Sequence, residues 1–95
     1  MSEEWLQRTE LLLGAEKLAM LRRAHVLIVG LGGVGAYAAE MIARAGVGRL
    51  TLADADTVNV TNINRQLVAL RSTVGRPKGE VLAERPIPGE ILDRM

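Results

Sequence analysis

Gly30-Leu31-Gly32-Gly33-Val34-Gly35 is the segment of this chain with the most specific chemistry, because it fits the spacing GxGxxG. Glycines at these steps allow a tight turn, let backbone N–H groups approach a phosphate, and let a following helix pack close to a sheet. Gly30, Gly32, Gly33 and Gly35 are therefore nucleotide-binding candidates. Further on, Asp54-Ala55-Asp56 supplies two carboxylates. Asp54 stands where a carboxylate accepts hydrogen bonds from ribose hydroxyls, and Asp56 has two readings, as a cap of the next turn or as a second ligand contact. From Thr57 to Gly79 the chain carries Arg65, Arg71, Arg76 and Lys78 and no acidic residue. A nucleoside triphosphate brings more negative charge than a dinucleotide, and its cleavage develops still more on the leaving pyrophosphate. Arg and Lys clamps beside a glycine loop answer that need. For Arg71 and Arg76 the plainer reading is a solvated basic surface. The glycine loop alone is equally compatible with NAD, in half of an oxidoreductase domain.

These residues need elements to hold them. Residues 5–23 carry apolar positions at helical spacing, and Gly14 divides them into two shorter helices. His25–Val29 is a continuous aliphatic run of the kind found in a strand buried on both faces of a parallel sheet. Val34–Ala45 reads as a helix rich in alanine and closed by Gly46, and Arg49–Ala53 reads as a second strand. Strand, glycine turn, helix and strand make a βαβ unit with a right-handed crossover. The Asn- and Thr-rich stretch from Thr57 to Asn64 predicts turns and caps, Arg65–Arg71 a short helix, and Val81–Arg85 the start of another that Pro86, Pro88 and Gly89 stop. The fold class is α/β, the N-terminal portion of a Rossmann-like doubly wound parallel sheet. Residues 1–95 form one unit: a helical lead-in (1–24), a βαβ unit with its following loop (25–85), and an atypical tail (86–95).

Composition narrows the chemistry further. The chain has 95 residues, a formal net charge of +1 from 12 basic and 11 acidic residues, and no cysteine. Disulfides, thiolate zinc sites and thiol nucleophiles are excluded within it, and near-neutral charge gives no global pull towards nucleic acid. No apolar run is long enough to span a bilayer, and the acidic start Met1-Ser2-Glu3-Glu4 is unlike a signal peptide, which predicts a cytoplasmic protein. Phenylalanine is absent, and Trp5 and Tyr37 are the aromatic residues. The core must be aliphatic, with Met20 and Met41 reading as packing residues and Trp5 as an anchor for the first helix or a subunit contact. His25, beside a buried strand with no acid near it in sequence, reads as a strand-edge residue.

Four motifs in this order, Gly30–Gly35, Asp54-Ala55-Asp56, Thr61-Asn62-Ile63-Asn64-Arg65-Gln66 and Val74-Gly75-Arg76-Pro77-Lys78, together resemble the adenylate-forming ThiF/MoeB/HesA superfamily, relatives of ubiquitin-activating enzymes. The resemblance covers about residues 5–85. It implies that Gly33 brings its backbone to ATP, that Asp54 binds the ribose, that Asn62 and Arg65 contact phosphates, and that Lys78 neutralises charge between the α- and β-phosphates. Arg8, an ordinary exposed helix arginine by its own sequence context, matches the arginine that family members insert into the partner subunit's site, which implies a homodimer. Arg8, Arg65 and Lys78 are then the catalytic candidates. The motif at 61–66 is most similar to the tRNA-modifying dehydratase branch, which implies tRNA as substrate and an acyl-adenylate that cyclises. The alternative branch activates a ubiquitin-like carrier protein of a sulfur relay; branches that transfer sulfur use a cysteine further along. The resemblance also implies Mg2+, held by an aspartate after a later strand, so that no metal ligand is assigned within this chain. A complete doubly wound domain needs about six strands, and two are readable here. The expectation is a front portion of a larger enzyme, with a truncated end, a frame-shifted tail or joined segments explaining residues 86–95.

Overall fold

The structure, a computed structural model, describes residues 4–85 and 90–94. A 3-10 turn (Glu4–Leu6) leads into α1 (Gln7–Leu13) and α2 (Ala15–Arg23), followed by β1 (His25–Val29), α3 (Gly35–Ala45), β2 (Arg49–Ala53), a 3-10 turn (Val60–Asn62), α4 (Lys78–Ala83) and β3 (Glu90–Arg94). Gly14, at φ +90°, separates α1 from α2 as the sequence predicts. Both strands of the βαβ unit have the predicted bounds. They pair in parallel, with His25 opposite Arg49 and Val29 opposite Ala53.

The core lies where α3 covers the sheet. Ala36, Ala39 and Ala43 recur on one side of α3 and are fully buried against Ile28, Leu50 and Leu52. Small side chains at this spacing give a flat helix face that approaches the strands closely. Glu40, on the same helix and buried, is held by Arg85, whose Nε and Nη2 lie 2.7 and 2.6 Å from its Oε1. That ion pair fastens the chain just after α4 onto α3.

Several expectations need correction. β1 is buried on one face only: Ile28 is buried, while Leu27 and Val29 are exposed because no described residue covers their side of the sheet. Met20 and Met41 are likewise exposed rather than packed in the core. The tail does not end the sheet at two strands, since Glu90–Arg94 pairs in parallel with β2 as a third strand, with an irregularity between Leu50 and Thr51. The predicted stop at Pro86, Pro88 and Gly89 lies outside the described residues, as do Met1–Glu3 and Met95. The second late helix exists but spans Lys78–Ala83. Pro77 precedes it at φ −59°, a value already suited to helix entry, and the Lys78 N–H donates to Asp56 O (3.2 Å).

Arg65–Arg71 is not a helix but a series of turns. Thr73 explains why. Its buried hydroxyl accepts from the Leu70 N–H (2.8 Å) and lies 2.7 Å from Val68 O and 3.0 Å from Leu70 O. A side chain thus takes the backbone partners that a helix would have used. Thr73→Val keeps the shape and removes the hydroxyl, and should lower stability by about 1–3 kcal/mol. An unchanged urea midpoint would show that the hydroxyl does not shape this segment.

Candidate functional site

The glycine loop joins β1 to α3 at the carboxyl ends of the strands, where ligands bind in open α/β sheets. Two of its glycines are required by geometry. Gly30 sits at φ +87° and extends the ladder by donating to Ala53 O (2.8 Å). At Gly35 a Cβ would stand 1.7 Å from Gly30 O, so no other residue fits. The start of α3 therefore rests directly on the end of β1. Around Gly33 a Cβ would meet nothing within 4 Å, and the N–H groups of Gly32 and Gly33 have no partner among the described residues.

Asp54 locks this turn to β2. Its Oδ2 accepts from the Leu31 N–H (2.6 Å) and its Oδ1 from the Asp56 N–H (2.7 Å). The turn after β2 is thus capped by the Asp54 side chain, and Asp56 contributes its backbone rather than its carboxylate. Each carboxylate oxygen of Asp54 retains a lone pair for a further donor, such as a ribose hydroxyl. Beside it lies an open cleft of about 510 Å3 lined by Val29, Gly30, Ala53, Asp54, Ala55 and Asp56.

The later motifs fold back towards this end of the sheet. Thr57 bridges Pro77 in antiparallel fashion, the Val58 N–H donates to Arg76 O (2.8 Å), and Lys78 is anchored to Asp56. Asn59 and Asn62 close the intervening 3-10 turn as a reciprocal capping box: Asn59 Oδ1 accepts from Thr61 N–H and Asn62 Oδ1 from Asn59 N–H, each at 2.9 Å. That use of Asn62 leaves its NH2 group, the end an anion needs. Arg65 is exposed, and its Nη1 donates to Thr61 O (3.1 Å) and Asn64 Oδ1 (2.9 Å).

The four basic residues of the acid-free stretch are sorted by their partners. Arg76 pairs with Glu84 and with Glu80 (3.3 Å), hydrogen bonds that hold its guanidinium above the usual range, so it is committed to α4. Arg71 is exposed. Lys78 is 6% exposed and has no carboxylate partner among the described residues. Its Nζ is not among the sealed, unpartnered side-chain atoms, so the ammonium reaches solvent at the end of a buried stem and stays available to an anion. Arg8 is exposed on α1 and does not line the cleft. Trp5, near it in sequence, stacks under Arg22, 5.5 Å from guanidinium carbon to ring centre. No three His, Cys, Asp or Glu side chains among the described residues cluster closely enough to hold a metal ion. No described helix is long and apolar enough to cross a membrane.

Residues 6–86 match the ThiF family. The chain belongs to the ThiF family. Within it, the chain is 52% identical over 87 residues to the tRNA threonylcarbamoyladenosine dehydratase of Escherichia coli, covering 88% of this chain and 32% of the relative. It is 55% identical over 60 residues to the molybdopterin-synthase adenylyltransferase of Salmonella typhimurium, covering 63% and 24%. The crystal structure of the E. coli dehydratase in complex with ATP superposes with a TM-score of 0.80 at 45% identity, covering 96% of this chain and 41% of that one. The chain thus spans about a third of the length of the curated dehydratases it matches.

This ThiF-family site also contains a residue that motif reading passed over. Gln66 closes the Thr61–Gln66 motif, yet nothing in its type or position in sequence distinguishes it from a surface glutamine. It is buried against Gly32. Two substitutions probe the loop itself. Asp54→Ala should raise amide exchange at Leu31 and Asp56 by about tenfold or more, one hydrogen bond to a charged group being lost at each, while the β1–β2 ladder stays protected. Equal loss of protection across the ladder would show that Asp54 supports the sheet rather than the loop. Gly35→Ala should cost at least about 3 kcal/mol; a melting temperature within 2 °C (roughly the effect of half a kcal/mol) would contradict the close approach.

Proposed function

We propose that this chain is the ATP-binding front part of an adenylate-forming enzyme of the tRNA threonylcarbamoyladenosine dehydratase type. The observation that carries the proposal is the meeting, at one end of the sheet, of the Asp54 carboxylate with glycine-loop N–H groups that have no partner among the described residues, with Lys78 anchored beside them through its backbone to Asp56. Similarity to the dehydratases supports the same reading. In this reading a substrate carboxylate oxygen attacks the α-phosphorus of ATP. The bond to pyrophosphate breaks, and an acyl-adenylate remains until an internal group of the substrate displaces AMP and closes a ring.

The chain's own part is positioning and charge stabilisation. Gly32 and Gly33 offer N–H groups to phosphate at the start of α3, whose macrodipole favours an anion there. Asp54 receives the ribose, with Asp56 at the same rim. Asn62 presents its NH2, and Arg65 and Lys78 offset the charge that develops on the phosphates. Arg8, remote from the cleft of its own chain, is assigned to a partner subunit's site in a homodimer. The tRNA substrate, the magnesium ion with its ligands beyond the described residues, and a cytoplasmic location belong to the same proposal. A second reading is favoured by the 55% identity to the Salmonella adenylyltransferase: the activated carboxylate would then belong to a sulfur carrier protein.

Calorimetry with magnesium-ATP and with NAD tests the reading. ATP should bind saturably and NAD should not; the reverse preference would overturn it. Arg65→Ala and Lys78→Met should each weaken ATP binding by about 10- to 100-fold, the value of one charge-assisted hydrogen bond. Lys78→Met should do so without lowering the melting temperature, because methionine keeps the buried stem and no counter-charge among the described residues is lost. A large drop in melting temperature would show that Lys78 is structural.

A further inference from the structure

Gln66 closes the Thr61–Gln66 motif and packs against the glycine loop. Its side chain lies against Gly32, with Nε2 3.6 Å and Cδ 3.9 Å from where a Cβ of that glycine would stand. Only 9% of the residue is exposed, and its Oε1, sealed from solvent, has no hydrogen-bond partner. Its backbone N–H donates to Asn62 O (2.9 Å), so the residue is fixed to the turn that presents Asn62 and Arg65. Native interiors rarely leave a carboxamide oxygen without a donor. Leucine would fill such a space at lower cost, so packing alone does not account for a carboxamide here.

The amide is polarised, with its NH2 end positive and its carbonyl end negative. The positive end lies nearest the point where a Gly32 Cβ would stand, the unpaired oxygen lies more than 4 Å from that point, and the N–H groups of Gly32 and Gly33 have no partner among the described residues. Buried dipoles are weakly screened, so this orientation favours negative charge on the far side of the turn. We propose that Gln66 is a positioning residue of the phosphate cradle: it seats the Gly32 turn and lends its amide dipole to the field that holds the polyphosphate. The unpaired oxygen is the consequence of pointing the other end of the group at the loop. This inference rests on the ATP-binding reading given above, and it adds a neutral, buried contributor to the Arg65 guanidinium and the Lys78 ammonium.

The test compares ATP with adenosine, by chemical-shift titration of the full chain and of two variants. Gln66→Glu is isosteric and replaces the positive end by an acceptor; Gln66→Leu keeps the bulk and deletes the dipole. The ratio of ATP to adenosine affinity should fall by about fivefold in Gln66→Leu and by more in Gln66→Glu, while adenosine affinity itself changes little. A purely structural glutamine would reduce both affinities together and leave the ratio at its original value, which overturns the proposal. If Gln66→Glu does not fold, the ratio in Gln66→Leu decides in the same way. Failure of the unsubstituted chain to bind ATP would overturn the ATP reading and this inference together. Normal ATP binding with an unchanged ratio in the variants would overturn the role of Gln66 alone.

Discussion

The carbonyl of Gly30 occupies the space in which any side chain at position 35 would begin, 1.7 Å from a built Cβ. This contact sets the distance between the end of β1 and the first turn of α3, and the rest of the site follows from it. Because α3 starts on top of the strand end, the connecting loop is short, and the N–H groups of Leu31, Gly32 and Gly33 find no backbone carbonyl among the described residues. Leu31 is brought within reach of Asp54, just past the end of the neighbouring strand, so the loop is held by a carboxylate rather than by its own backbone. The same close approach presses Ala36, Ala39 and Ala43 onto Leu50 and Leu52, which ties the core to the site geometry. Larger residues on that face of the helix would lift α3 and separate the loop from Asp54.

Polar groups in this molecule divide into those satisfied within the chain and those left for something else. Glu40 is satisfied by Arg85 and faces Arg44 at 3.7 Å, Arg76 by two glutamates, and Thr73 by the backbone of its own loop. Among the described residues, the N–H donors of Gly32 and Gly33 and the oxygen of Gln66 have no partner, and the ammonium of Lys78 has no counter-charge. The free loop donors and the lysine suit an anion, and all four are brought towards the carboxyl end of the sheet. Such mismatches lower stability and are retained where a ligand uses them.

The βαβ unit was legible in the sequence because its signals are local: a five-residue aliphatic run, glycines, and alanines at helical spacing. Both strands have the predicted limits for that reason. The site candidates came from different signals: Asp54 from its place at a strand end, Arg65 and Lys78 from the acid-free stretch between Thr57 and Gly79, and Asn62 from family resemblance alone. The failures were of another kind. Arg65–Arg71 has helical composition, but the Thr73 hydroxyl takes the backbone partners a helix needs. β1 has the sequence of a strand covered on both sides, yet cover is a property of neighbouring elements and not of the strand. Glu90–Arg94 becomes a strand by pairing with β2, which no pattern in its own residues announced.

The sequence by itself determined the glycine turn, the strand ends, the acid-free basic stretch and the absence of thiol chemistry, since each depends on residue type or on spacing along a few positions. Only the tertiary structure decided which cations remain available. Arg76 and Lys78 are two residues apart, yet Arg76 is paired with Glu80 and Glu84, whereas Lys78, its stem buried, has no counter-charge among the described residues. Folding also decided that Gln66 belongs to the site, because its partner Gly32 lies on a different element, far away along the chain. Pairing energies are set by distance in space and by the loss of water around a group, and neither quantity is written in the local order of residues.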